Sequence, residues 1–266
     1  MVKNKDIEKQ KQHFESVAGE YINARNNPRH ALLQNTVWEI FWRNGEMEKW
    51  RTNFIPAENL NILEAMCGRA ELYEILKKYI RRPFSFNAFD YSDTMVTYAQ
   101  QLHPELLIWQ QDVTTFRNRE AYDIIFIIGG LHHVYAHKER VLKNIADSLR
   151  PGGLFISSEP TYNNPLFYFV RDLIYRKNKA FDHETEKAFT TKELNTLAGD
   201  CGLDLITQLN FGLLAYILWQ NPEVFPSLNK GGVNFAKYVI NIEKIFWKTR
   251  IARFFSFATL SAYRKR

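Results

Sequence analysis

Short apolar runs alternate with amphipathic segments across the centre of the chain, between residues 60 and 158. The runs have the length of β-strands, and the segments between them repeat their apolar positions with the period of a helix. We predict strands at residues 60–66, 84–91, 106–111, 122–128 and 154–158, helices at 71–80, 94–102 and 138–149, and a short helix at 115–120. This alternation indicates βαβ units, and therefore an α/β fold with a doubly wound, mostly parallel sheet.

Helical patterns flank this central region on both sides. Residues 3–52 are predicted to form helices, separated by the breaker Asn26-Asn27-Pro28. Further along, a helix is predicted to start at residues 190–193, with strands at 203–210 and 257–263. A mostly helical insertion occupies residues 211–253 between those strands. We therefore predict one domain, with a helical cap at 1–57, a core at 58–160 and further helices and strands at 161–266.

Composition narrows the class of protein without identifying it. The chain has 266 residues, of which 45% are hydrophobic and 24% charged, and it contains no internal repeat or long linker, which favours one domain. Two cysteines, Cys67 and Cys201, exclude a disulfide framework, and neither has a metal-ligand spacing. The polar N-terminus is not a secretory signal, and no apolar run approaches the roughly 20 residues that span a bilayer. A cytoplasmic protein without a metal is expected.

The charge balance is basic, with a formal net charge of +6 and an isoelectric point of about 9.1. Such a balance suits nucleic acid or an anionic membrane surface. The positive residues are spread along the chain, and no run of like charge is longer than residues 264–266. General basicity is therefore favoured over a dedicated polyanion site, and nucleic acid is not the expected partner.

The most informative stretch is residues 61–72 (NILEAMCGRAEL), where a short apolar run is followed by small residues and one glycine, Gly68. It predicts a strand, a tight turn and a helix start, the arrangement that lets a backbone approach a nucleotide-like ligand. The dinucleotide pattern G-x-G-x-x-G is absent, and Glu64 beside the turn would repel a pyrophosphate. A cationic ligand suits this turn better.

Acidic and small residues recur where the predicted strands end. Glu64, Asp90 and Asp112 close the first three strands, and the fourth ends at Gly129 and Gly130. Ligands of open α/β sheets bind at the carboxyl ends of the strands, where the strand order reverses. Asp90 follows the turn by about twenty residues, and a carboxylate there can accept both hydroxyls of a ribose. The spacing therefore indicates a nucleoside-containing cofactor.

Five segments, LEAMCGRAE, FDYSDTM, QQDV, YDIIFIIGGLHHV and LRPGGLFI, follow one another in this order. The series resembles the successive motifs of class I S-adenosylmethionine-dependent methyltransferases over about residues 61–160. The family's first motif is an acidic residue followed by G-x-G-x-G, and here Met66 and Ala70 occupy the outer glycine positions. The resemblance implies a three-layer Rossmann-like fold of seven strands with the last one antiparallel. It also implies methyl transfer from S-adenosylmethionine, with S-adenosylhomocysteine as product.

The resemblance further implies how the cofactor is held. Asp90 would bind the ribose hydroxyls, Asp112 the adenine amino group, and Val113 would supply a backbone contact; an N-cap of the next helix is the alternative for Asp112. Tyr21 and Phe14 are candidates for an N-terminal lid over the cofactor, or for plain helix packing. The predicted cofactor-binding residues are Tyr21, Glu64, Ala65, Met66, Cys67, Gly68, Asp90, Tyr91, Asp112, Val113, Ile128 and Gly129.

His132 and His133, just after the fourth strand, are the candidate catalytic residues. Family members with two histidines here often point one toward the substrate, and a histidine can act as a general base near neutral pH. An orienting role is the alternative, because methyl transfer to an amine needs no strong base. Glu159, just past the fifth strand, is a further candidate.

The insertion is rich in aromatic and basic residues and supports two interpretations. Its apolar residues fall nearly all round a helix, which favours a buried lid over an amphipathic helix on a membrane surface. With residues 166–175 it would enclose a largely apolar chamber for a small-molecule or lipid-like acceptor. The alternatives are an RNA or DNA methyltransferase, and an S-adenosylmethionine-binding module without transferase activity.

Overall fold

The computed structural model describes residues 5–53, 59–164, 187–220, 227–247 and 249–266. Its centre is a seven-stranded sheet in the order β3-β2-β1-β4-β5-β7-β6. The strands are β1 (Leu60–Ala65), β2 (Phe84–Asp90), β3 (Leu107–Gln110), β4 (Tyr122–Ile128), β5 (Leu149–Pro160), β6 (Leu203–Phe211) and β7 (Ala258–Lys265). Strands β1 to β5 pair in parallel, and β7 runs antiparallel to both β5 and β6. The predicted α/β fold with a mostly parallel sheet and an antiparallel last strand is confirmed.

Helices cover both faces of this sheet. They are α1 (Lys5–Arg25), α2 (Pro28–Trp42), α3 (Gly45–Asn53), α4 (Leu72–Tyr79), α5 (Asp93–Leu102), a 3-10 helix (Leu131–His137), α6 (Lys138–Ser148), α7 (Thr191–Asp200), a π-helix (Tyr216–Gln220), α8 (Val233–Trp247) and α9 (Ala252–Phe255). Buried side chains of α2, α4, α5 and α8 form one cluster with the sheet, and those of α6 and α7 form another on the opposite face.

The unbroken apolar run of β4 divides between these two clusters. Ile124 and Phe126 belong to the cluster under α2 and α4, whereas Ile125 and Ile127 belong to the cluster under α6. Successive side chains of a strand point to opposite faces, so a strand covered on both sides needs apolar residues at every position. This explains why the predicted and observed bounds of β4 are identical.

The N-terminal cap consists of α1, α2 and α3, and the break predicted at residues 26–28 is confirmed. Asn27 caps α2, because its side-chain oxygen accepts the backbone N–H of Arg29 at 3.0 Å. Pro28 occupies the first turn of α2, where its missing N–H costs no helical hydrogen bond.

The helix predicted at residues 115–120 is wrong. Oδ1 of Asp112 accepts the backbone N–H of Thr114 at 2.7 Å and closes a turn instead. Glu120 then has a φ of 47°, which lies outside the right-handed helical region. Strand β5 also begins earlier than predicted, because Leu149 already pairs with Tyr122 ahead of a register shift.

The predicted helical insertion is confirmed where it is described, and helix α8 packs on the core as the favoured lid would, but with one face only. Helix α8 buries one face, with Ala236, Val239 and Ile240 against the core, and leaves Tyr238 and Ile245 exposed. Residues 166–175, the other predicted wall of the chamber, lie outside the described residues. Over the part of the chain that is described, no helix is both long enough and apolar enough to cross a bilayer.

Candidate active site

A cavity of about 620 Å³ opens where β1, β2 and β4 end, a size typical of small-molecule sites. The strand order reverses between β1 and β4, which is where open α/β sheets bind ligands. The predicted residues that line it are Tyr21, Glu64, Met66, Cys67, Gly68, Asp90, Tyr91, Asp112, Val113, Ile128, Gly129, His132 and His133. Ala65 instead packs into the core cluster under α6.

The loop after β1 keeps left-handed backbone conformations at all three positions of the glycine motif. The φ angles are 58° at Met66, 52° at Gly68 and 55° at Ala70. A non-glycine residue in this region costs roughly 1–2 kcal/mol, so the surrounding structure holds Met66 and Ala70 in place. The Met66 side chain lies against Gly130, since its sulfur is 2.9 Å from where a Cβ of Gly130 would be. Gly130 thereby makes the room that Met66 needs beside the cavity.

Asp90 is held by the backbone on both sides. Its Oδ2 accepts the N–H of Gly68 at 2.8 Å, and its Oδ1 accepts the N–H of Ser92 at 3.0 Å. Desolvation raises the pKa of Asp90, while these N–H donors lower it. The carboxylate is therefore fixed at the edge of the cavity, with acceptor capacity remaining on both oxygens.

Glu64 is a buried carboxyl group at the end of β1. Desolvation and the neighbouring charges of Glu71 and Asp90 raise its pKa well above the usual range. Its Oε2 is buried and has no hydrogen-bond partner among the described residues. A positively charged ligand in the cavity would stabilise the ionised carboxylate and could give Oε2 a partner. The residues present therefore fit S-adenosylmethionine, which carries a sulfonium and an ammonium group.

The adenine end of the predicted site lies at the turn after β3. Oδ1 of Asp112 is engaged by Thr114, so an Asx turn rather than a helix cap accounts for that oxygen. Val113 beside it is buried in the cluster under α6. Across the crevice, the hydroxyl of Tyr91 donates to Glu8 of α1 at 3.3 Å.

Helix α1 lies over the loop after β1. The Tyr21 hydroxyl is 3.8 Å from where a Cβ of Gly68 would be, so it reaches the loop. Lys11 pairs with Asp93 at 3.1 Å, and the Ser92 hydroxyl donates to Glu15 at 2.8 Å. These bonds join α1 to the start of α5. The side chain of Phe14, the other lid candidate, lies outside the described part of the structure.

Arg69 is a site residue that the sequence did not single out. Its guanidinium donates to the carbonyl of Ile22 at 3.1 Å and to Oδ1 of Asn26 at 2.8 Å. It therefore ties the loop to the end of α1. The only signal in the sequence was its place directly after Gly68.

His132 is bonded to Glu159, and both residues line the cavity. Its Nδ1 lies 2.8 Å from Oε2 of Glu159, whose oxygens also accept the backbone N–H groups of Leu131 at 2.9 Å and His132 at 3.2 Å. Burial raises the pKa of Glu159 to about 7, against the lowering effect of these donors. The ring of His133 lies with its centroid 3.9 Å from that of His132. The two candidate catalytic residues and Glu159 thus form one cluster.

Apolar side chains from parts of the chain that are distant in sequence line the same cavity. We call them the apolar wall: Trp38 of α2, Phe211 at the end of β6 and Tyr216 of the π-helix. The buried side chain of His30, also on α2, is hydrogen-bonded to Trp219: its Nδ1 lies 3.0 Å from the carbonyl oxygen of that residue. Phe211 and Tyr216 belong to the insertion that was predicted to enclose an apolar chamber, whereas Trp38 and His30 of α2 were not predicted, because only tertiary folding brings α2 to this wall.

The strand order, the crevice and the carboxylates at the strand ends are those of the class I S-adenosylmethionine-dependent methyltransferase fold. Its residues 62–153 match the family model described as Methyltransferase domain. S-adenosylmethionine is the cofactor of the class. No curated protein sequence matches the chain.

Solved structures share this fold at low sequence identity. An S-adenosylmethionine-dependent methyltransferase of Thermotoga maritima, described as a possible histamine N-methyltransferase, is 14% identical with a TM-score of 0.58, covering 97% of this chain and all (100%) of that one. The Haloferax volcanii protein solved with the Trm112 methyltransferase activator is 16% identical, with a TM-score of 0.56 and 96% of each chain covered. A protein of Galdieria sulphuraria, provisionally described as a sarcosine dimethylglycine methyltransferase, is 13% identical, with a TM-score of 0.55, covering 82% of this chain and 84% of that one.

Proposed function

We propose that the chain transfers a methyl group to a small-molecule or lipid-like acceptor that binds against His132 in the described cavity. One observation carries this proposal: the held carboxylate of Asp90, the His132–Glu159 pair and the apolar wall line a single cavity. A ligand anchored at Asp90 and an acceptor resting on the wall would be neighbours within it.

The cofactor end is assigned by charge and hydrogen bonding. Asp90 would accept the ribose hydroxyls, Asp112 and Val113 would contact the adenine, and Glu64 would face the positive charge. Tyr21 and Arg69 would hold α1 and the loop around the ligand. When bound, S-adenosylmethionine supplies an electrophilic methyl group and leaves as S-adenosylhomocysteine. Alignment and exclusion of water by these side chains are the main contributions of the protein.

His132 would accept the acceptor's proton. When Glu159 is ionised and accepts a hydrogen bond from Nδ1, the neutral ring would carry its hydrogen on Nδ1, and Nε2 would be the basic nitrogen. Nε2 would take the proton that the acceptor loses on methylation, and Glu159 would stabilise the charged ring. His133 packs against this ring and limits its movement.

The test is transfer of an isotopically labelled methyl group to panels of small amines, phenols, single-chain amphiphiles and RNA. We expect transfer to at least one small or amphiphilic acceptor and none to RNA. Transfer to RNA alone would contradict the proposed acceptor class, and binding of the cofactor without any transfer would favour the module interpretation. His132→Asn should lower kcat roughly 100-fold with unchanged cofactor affinity. The matched control is His137→Asn, which lies outside the cavity lining.

A further inference from the structure

Helices α8 and α9 carry a concentration of exposed apolar side chains. Of the fourteen large apolar side chains that are exposed in the described structure, nine belong to these two helices and the turn between them. We call this set the α8–α9 apolar surface: Val233, Phe235, Tyr238, Ile242, Ile245, Phe246, Ile251, Phe254 and Phe255. Exposed apolar groups that gather in one place mark an interaction site, whereas isolated ones are ordinary.

The spacing on α8 explains why the surface is continuous. Residues 236, 239, 240, 243 and 247 form the buried stripe, and residues 235, 238, 242, 245 and 246 form a second stripe beside it. Both follow the three- and four-residue steps of a helix face. Ile245 is 68% exposed and Tyr238 is 65% exposed, so the second stripe has no cover over the described residues. Lys237 and Lys244 lie on its flank, seven residues apart on one face.

The charge of the chain is concentrated in the same region. Residues 227–255 contain six Lys or Arg and one Glu, a net charge of +5 out of +6 for the whole chain. The one acid, Glu243, is buried and accepts the backbone N–H groups of Leu213 and Ala215 at 3.1 and 2.6 Å. The exposed basic residues Lys237 and Lys244 have no carboxylate partner in the described structure. Most of the net positive charge therefore belongs to this one segment, although no run of like charge marks it in the sequence.

We propose that the α8–α9 apolar surface docks on an anionic lipid surface. An apolar stripe flanked by uncompensated positive charge complements acyl chains beneath negative headgroups. A second copy fits poorly, because a two-fold interface would set one positive rim against the other. RNA fits less well, because four of the nine side chains, those of Val233, Ile242, Ile245 and Ile251, are aliphatic and suit acyl chains rather than stacked bases.

The helix that carries the docking surface packs, on its buried side, against a residue of the cavity wall. The Trp247 ring of α8 lies with its centroid 6.1 Å from that of Phe211, which lines the cavity wall. Phe235 similarly contacts Trp219 of the π-helix at 6.2 Å between centroids. Docking would therefore bring the apolar side of the cavity toward the lipid, although docking itself does not depend on the nature of the acceptor.

The experiment is co-sedimentation of the full chain with vesicles of phosphatidylcholine mixed with phosphatidylglycerol, and with vesicles of phosphatidylcholine alone. We expect binding to the anionic vesicles, loss of most binding at about 1 M salt, and little binding to the neutral vesicles. Ile245→Asn with Phe246→Asn should weaken binding roughly 100-fold. Lys237→Ser with Lys244→Ser should weaken it roughly 10- to 30-fold.

Matched controls separate docking from general effects. Leu107→Asn changes a side chain that is 64% exposed on β3, at the opposite edge of the sheet, and should bind like the wild type. Arg117→Ser with Arg119→Ser removes two positive charges outside the α8–α9 apolar surface, as many as the lysine variant loses, and should have little effect on vesicle binding. Circular dichroism and cofactor binding, both expected to be unchanged, verify that each variant is folded. The proposal would be overturned if the chain did not bind the vesicles or if the Ile245/Phe246 variant bound them as well as the wild type. It would also be overturned if the surface proved to be covered by a second copy in a dimer, or to bind an RNA oligonucleotide instead.

Discussion

The backbone N–H of Gly68 donates a hydrogen bond to Oδ2 of Asp90 at 2.8 Å, which joins the loop after β1 to the end of β2. Ser92 holds the other oxygen of the same carboxylate at 3.0 Å. The carboxylate is therefore oriented before any ligand binds, and a ligand loses little free energy in ordering it. The most sensitive single position for cofactor binding should be Asp90.

Asp90→Asn should weaken S-adenosylmethionine binding by at least about tenfold, because hydrogen bonds to a charged acceptor contribute roughly 1.5–3 kcal/mol each. Saturating cofactor should raise the Tm of the wild type clearly and that of the variant much less. Asp147→Asn, an exposed change outside the cavity, is the control and should behave as the wild type. Equal thermal shifts for Asp90→Asn and the wild type would remove the proposed ribose role.

Glu159→Gln should slow methyl transfer roughly 10- to 100-fold. Glu159 accepts hydrogen bonds from the N–H groups of Leu131 and His132 and from the His132 ring, and an amide NH₂ cannot accept on that side. Loss of the negative charge also makes the His132 ring less basic, so the acidic limb of the kcat profile should move to lower pH. Glu139→Gln, on the surface of α6, should change neither quantity. A lower rate with an unmoved profile would indicate a structural role for Glu159 only.

His30 should make the stability of the fold depend on pH. Desolvation, with the nearby charge of Arg25, lowers the pKa of His30 from 6.5 to about 3 in the folded chain. The neutral ring is therefore favoured by folding, and its contribution is complete above about pH 6.5 and decreases as the pH falls toward 3. Between about pH 6 and pH 4, the free energy of unfolding of the wild type should fall by roughly 1.4 kcal/mol per pH unit more than that of His30→Asn. Urea unfolding at several pH values measures this, and parallel curves for the two proteins would contradict it.

Two alanine-to-glycine changes should differ in their effect on stability, because the two alanines have different backbone conformations. At Ala70, with a φ of 55°, glycine relieves left-handed strain of about 1 kcal/mol and offsets the loss of one buried methyl group. At Ala99, inside α5, glycine loses a buried methyl group and helix propensity together. Ala70→Gly should be nearly neutral, and Ala99→Gly should lower the free energy of unfolding by about 2 kcal/mol. If denaturant unfolding gave similar losses of free energy of unfolding for the two variants, the left-handed conformation at Ala70 would be contradicted.

Much of the core could be predicted from local pattern. Strand β4 is apolar at nearly every position, and a strand buried on both faces has no other pattern, so its bounds were found to the residue. The places of Glu64 and Asp90 beside one cavity could be predicted because the ends of parallel strands meet at one edge of the sheet. The short helix at 115–120 failed because the side chain of Asp112 closes a turn, a local bond that periodicity does not report.

Features that depend on distant segments could not be predicted. Trp38 and Phe211 share the cavity although 173 positions separate them in the chain. Helix α8 has two neighbouring apolar stripes, and the sequence indicates that both are apolar without indicating which one meets the sheet. Burial of one stripe and exposure of the other is decided by tertiary packing.

Titration calorimetry of S-adenosylmethionine with the purified chain is the most direct test of the cofactor site. We predict saturable binding at one site per chain, abolished or strongly weakened in Asp90→Asn. NADPH should give no binding, because Glu64 lies beside the turn where a pyrophosphate would bind and the carboxylate of Asp90 would repel the 2′-phosphate. A folded sample that gives no heat with S-adenosylmethionine, or that binds NADPH instead, would contradict the assignment of the cavity.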